Sequence, residues 1–80
     1  MDFPKAFRIK CNGIRSIVRT TAEALRLIDQ ELPIELRGLP RWGFARALLL
    51  EAERSSKKRD LGAAARQLRQ ALSNEGWLAE

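Results

Sequence analysis

The sequence predicts an α+β fold, an N-terminal β-hairpin packed on three α-helices (ββααα), within a single domain spanning residues 1–80. Three observations carry this expectation. Asn12-Gly13 separates two alternating runs, Phe7-Arg-Ile-Lys-Cys11 and Ile14-Arg-Ser-Ile-Val18, and this dipeptide between such runs is a strong hairpin signal. Downstream, apolar residues recur at helical spacing in three stretches. Pro33, Gly38, Pro40 and the polar Ser55–Arg59 segment punctuate those stretches.

The hairpin comes first. A two-residue loop pairs Cys11 with Ile14, Ile9 with Ser16 and Phe7 with Val18, so one face of the ribbon is almost entirely apolar. The opposite face pairs Lys10 with Arg15, Arg8 with Ile17 and Ala6 with Arg19, which gathers four cations on a short ribbon. Directly opposed like charges cost about 0.2–1 kcal/mol per pair. Both edges of a lone hairpin are open to further strands.

Thr20-Thr21-Ala22-Glu23 then fits a capping box, and a first helix is expected from about Thr21 to Glu31 with Ala24, Leu25, Ile28 and Leu32 inward. Pro33 ends it. Residues 33–39 read as a connection in which Ile34, Leu36 or Leu39 plugs the core. Pro40 suits the first position of a second helix, expected to reach Arg54 with Trp42, Ala45, Leu49 and Ala52 on one stripe and Phe44 and Leu48 beside it. Asp60 is the expected N-cap of a third helix whose inner face is Leu61, Ala64, Ala65, Leu68 and Leu72, with Gly76 as its stop. Trp77 and Leu78 beyond it are too apolar for an open tail, and should fold back onto the helices or meet a partner chain.

Composition narrows the function. Eighty residues bury only about 60% of their unfolded surface, so a deep active-site cleft is not expected. Hydrophobic content of 45% with 31% charged residues fits a folded soluble domain. The net charge of +5 is uneven: residues 1–20 carry five Lys/Arg against one Asp, residues 21–53 four against six Asp/Glu, and residues 54–80 six against three. Basic ends favour polyanionic partners, although exposed Lys and Arg also serve solubility and guard sheet edges.

Catalysis is disfavoured on chemical grounds. There is no His, so Cys11 and the serines lack the commonest activating base, and Cys/His zinc sets cannot be assembled. Cys11 falls on the apolar face of the ribbon as a small hydrophobe. The five glycines are scattered and form no phosphate-cradling loop, so no cofactor is implied. The longest apolar runs, such as Leu48-Leu49-Leu50, are far short of a membrane span, and no membrane partner is expected. A cytoplasmic protein follows.

Two binding classes are left. The first is a non-catalytic interaction domain, a homodimer or a module for another protein, resting on the open strand edges and the apolar tail. The alternative is nucleic-acid binding through Arg8, Lys10, Arg15 and Arg19 of the hairpin face, with Arg66 and Arg69 on the Arg/Gln-rich last helix. No aromatic residue is interleaved on the basic face, so a stacking platform for single strands is missing.

The Asn12-Gly13 hairpin, Thr20-Thr-Ala-Glu-Ala24 opening a helix, Leu32-Pro33 closing it, and the Trp42…Ala45 helix followed by an Ala-rich last helix resemble a family of short bacterial proteins, domain of unknown function family 982. The likeness covers nearly the whole chain, with Leu32 standing where that family has Trp before Pro. It implies a compact α+β domain and carries over no residue role.

Overall fold

The computed structural model describes residues 1–11 and 14–79; Asn12, Gly13 and Glu80, and the side chains of Cys11 and Ile14, lie outside the described residues, and with them the expected Asn-Gly turn and the placement of Cys11. Strands β1 (Asp2–Cys11) and β2 (Ile14–Thr20) form an antiparallel hairpin, and helices α1 (Thr21–Arg26), α2 (Ile34–Arg37), α3 (Pro40–Ser55) and α4 (Lys58–Asn74) follow. This is the expected α+β arrangement with one short helix added. Among the described residues, no helix is long and apolar enough to cross a membrane.

The hairpin register matches the alternation: Cys11 pairs with Ile14, Lys10 with Arg15, Ile9 with Ser16, Arg8 with Ile17 and Phe7 with Val18. Beyond Phe7 the ladder is interrupted and resumes at Asp2–Thr20, so the expected Ala6–Arg19 pair does not form. Pro4 lies in this interruption and has no N–H to give a ladder. Phe3 and Phe7 still reach the core, their rings edge-to-face at 5.0 Å.

The capping box opens α1. Thr20 Oγ1 accepts the Glu23 N–H at 3.1 Å, while Glu23 Oε1 accepts the N–H groups of Arg19 at 2.8 Å and Thr20 at 3.1 Å. The Arg19 bond, then the Thr20 bond, holds the Glu23 carboxyl below its ordinary pKa. A group with a lowered folded pKa supplies stability that is complete above its unfolded value and lost as pH falls through the folded one. Replacing Glu23 with Gln is therefore expected to shrink the acid-side slope of stability against pH, read from urea midpoints down through the carboxylate range. An unchanged slope would mean that the box contributes nothing to acid sensitivity.

After Arg26 the chain widens into a π-helical segment, Leu27–Glu31, in which Leu32 donates its N–H to the Leu27 carbonyl at 3.0 Å. Leu27 is buried beside Ile28 and the expected Leu25 is only half-buried, because the inner face follows the α-helical spacing of Thr21, Ala24, Leu27 and Ile28. The segment read as a plain connection contains the single turn α2. Within it Leu36 and then Leu39 pack on the core, whereas Ile34 is exposed.

Helix α3 buries the expected stripe of Trp42, Ala45, Leu49 and Ala52, but Phe44 is exposed. The chain turns at Ser56, whose φ of 56° is left-handed, and α4 begins at Lys58 rather than after Asp60. Lys57 holds the N-cap position without a side-chain bond, and Asp60, inside the first turn, accepts the Ser55 hydroxyl instead. Small residues Ala45, Ala52, Ala64 and Ala71, all fully buried, let α3 and α4 approach closely around Leu49, Leu68 and Leu72.

The end of α4 shapes the rest of the sheet. Gly76 adopts φ 71° and donates to the Ser73 carbonyl while Trp77 donates to Leu72, both at 3.0 Å, which is the Schellman pattern. That reversal lays Trp77 against Trp42, ring centroids 6.0 Å apart, and sends the tail along β1. Lys10 donates to the Trp77 carbonyl at 2.7 Å, Ala79 donates to the Arg8 carbonyl at 2.9 Å, and Leu78 bridges Ile9. Of the two outcomes expected for the apolar tail, the intramolecular one holds. The expectation that both hairpin edges are open needs correction: the tail covers β1 from Arg8 to Lys10, and among the described residues the outer edge of β2 carries no strand along its length.

Candidate nucleic-acid interface

Alternation along the two strands places Arg8, Lys10, Arg15, Ile17 and Arg19 on the outer face of the hairpin, and all five are exposed. The inner residues Phe7, Ile9 and Val18 are buried beneath them. Because Lys10 faces Arg15 and Arg8 faces Ile17, three cations fall within two neighbouring cross-strand pairs. Among the described residues none of these three forms an ion pair.

Several acids elsewhere are occupied. Asp29 accepts from Arg46 Nε at 2.8 Å, and that bond holds its carboxyl below the ordinary value. Glu51 pairs with Arg54, Glu53 accepts the hydroxyl of buried Thr21, and Glu75 accepts the Trp42 indole N–H at 3.0 Å. Arg19 stands apart from the other hairpin cations. Its charge helps to lower the pKa of Glu23, so the nearby carboxylate partly offsets it. The uncompensated set is therefore Arg8, Lys10 and Arg15.

Arg66 and Arg69 do not join this face. Helix α4 packs under the sheet, and these two side chains line a separate cleft of about 280 Å³ against the N-terminal half of β1. The third cation there is Lys5, which the reading of the sequence missed. A signal was available: Lys5 takes the parity of Phe3, Phe7 and Ile9, where an apolar residue is expected. Among the described residues no group of three or more His, Cys, Asp or Glu side chains is placed to hold a metal ion.

Compared with known proteins, the chain matches no family model, and no curated protein or solved structure gives a significant match. The site is therefore read from its geometry.

Proposed function

We propose that the protein is a non-catalytic cytoplasmic binding domain that engages a polyanion, with nucleic acid as the ligand class, through the outer face of its hairpin. One observation supports this above the others: Arg8, Lys10 and Arg15 are exposed together on a rigid ribbon with no carboxylate partner among the described residues. A flat, cationic, aromatic-poor face suits backbone phosphates rather than stacked bases. Glu23 is engaged in a helix cap and Asp29 in an ion pair, and the absence of His leaves little general-base capacity.

Three to four phosphate contacts give a slope of log K against log salt of about −2.7 to −3.6, or a loss of roughly 40–150-fold between about 50 and 200 mM salt. Fluorescence anisotropy of a labelled DNA duplex across that range is expected to show this slope. Undetectable binding at about 50 mM salt would remove nucleic acid as the ligand.

A second reading, self-association, is favoured by the uncovered edge of β2 and by Ile17 in its middle, 44% exposed. A second copy pairing antiparallel across Ile17 would extend the sheet and its basic face together. The same pairing sets Arg15 opposite Arg19 of the partner, a repulsion that a bound polyanion would relieve. Light scattering in the presence of duplex is expected to give the duplex mass plus about twice the 9.1 kDa chain mass. A mass of one chain per duplex site would exclude this pairing.

A further inference from the structure

The cleft between β1 and α4 belongs to neither the polyanion face nor the β2 edge. Its lining joins the apolar surface of Ala6, Phe7 and Ala65 to the charges of Lys5, Arg66 and Arg69, and no acidic side chain appears among its described lining residues. Phe7 is buried and Ala65 half-buried, so the apolar wall is the margin of the hydrophobic core. Lys5 and Arg66 are exposed and make no ion pair among the described residues. The Arg66 guanidinium lies beside Gly62 on α4, where even a Cβ would meet Nη1 at an ordinary contact distance of 3.7 Å.

We propose that this cleft binds a small amphipathic anion, a single-chain acyl or aryl carboxylate, its apolar body against Phe7 and Ala65 and its carboxylate between Lys5 and Arg66. The size fits such a ligand: about 280 Å³ lies just below the usual range for small-molecule sites. Two larger occupants fit worse. A peptide strand would need a run of outward backbone groups on β1, but the tail already holds Arg8 and Lys10, and of the next such positions Ala6 is followed by Pro4, which has no N–H. A nucleic-acid backbone would gain nothing from the apolar wall. Charge at one side and core-like surface at the other are what a carboxylate with a hydrocarbon body needs.

The test is an amide-resolved NMR titration of the full chain with octanoate, acetate and 1-octanol. Octanoate is expected to give saturable shifts at the amides of Ala6, Phe7, Ala65 and Arg66, at least about tenfold stronger in affinity than acetate or octanol, because neither half of the ligand suffices alone. Arg66→Glu, at an exposed position, and Ala65→Leu, which fills the cleft, should each weaken octanoate by about tenfold or more with the fold retained. Lys10→Glu/Arg15→Glu should leave octanoate binding unchanged, which separates this site from the polyanion face. Absence of saturable shifts at about 10 mM octanoate, or acetate as effective as octanoate, would overturn the proposal. So would affinity indifferent to both cleft variants, or displacement of octanoate by duplex DNA in the Lys10→Glu/Arg15→Glu variant.

Discussion

Replacing Trp42 with alanine is expected to remove about 3–5 kcal/mol of stability, the cost of deleting a fully buried aromatic whose site cannot collapse around it. An 80-residue domain has about 4–12 kcal/mol in total, so most of the protein would be near its unfolding limit. At about 4–8 °C per kcal/mol, the thermal midpoint should fall by ~12–40 °C. Trp42 also carries the Trp77 ring and donates to Glu75, so its loss should loosen the tail that covers β1. Hydrogen exchange at the Lys10 and Ala79 amides, which bond across that junction, should rise more than exchange in β2. Trp42→Phe keeps most of the volume and loses the indole bond, and should cost about 1–2 kcal/mol. A small drop for Trp42→Ala, comparable to that for Phe, would mean that Trp42 is not the centre of the core.

Local signals account for most of the fold. Alternation specifies the register, because a slip of one residue would turn Phe7, Ile9 and Val18 to solvent and the cations inward. Thr20 and Glu23 cap α1 as their spacing implies, and Gly76 supplies the left-handed residue that stops α4. What local pattern did not reveal depends on distant partners. The π-helical turn at Leu27–Glu31 has no residue signature, and the core takes Leu27 where Leu25 was expected. Asp60 looks like an N-cap by type, but the Ser55 hydroxyl reaches it from the preceding helix.

The tail shows the same limit in the sheet. Trp77 and Leu78 read as apolar, but their docking on β1 requires the Schellman reversal and the Trp42 ring together, two features more than thirty residues apart. The six candidate cations likewise share a charge and not a surface. Strand parity correctly groups Arg8, Lys10, Arg15 and Arg19, whereas Arg66 and Arg69 are turned by α4 to the opposite flank of β1, where Lys5 meets them.

The polyanion reading depends on the hairpin face, and Lys10→Glu/Arg15→Glu interrogates it directly. Both residues are exposed and directly paired, so two carboxylates can replace two cations without touching the core. Reversal removes two phosphate contacts and adds two repulsions beside Arg8. Affinity for duplex DNA at about 50 mM salt should fall at least ~100-fold, and any residual binding should have a salt slope reduced by about 1.8. Unfolding should remain cooperative with a midpoint within a few degrees, since exposed substitutions away from buried features stay within about 0.5 kcal/mol. Duplex anisotropy on wild type and this variant side by side, each checked by thermal melting, is the decisive measurement. Loss of binding with the melt preserved is the expected result; binding equal to wild type would contradict the assignment of the basic face as the polyanion site.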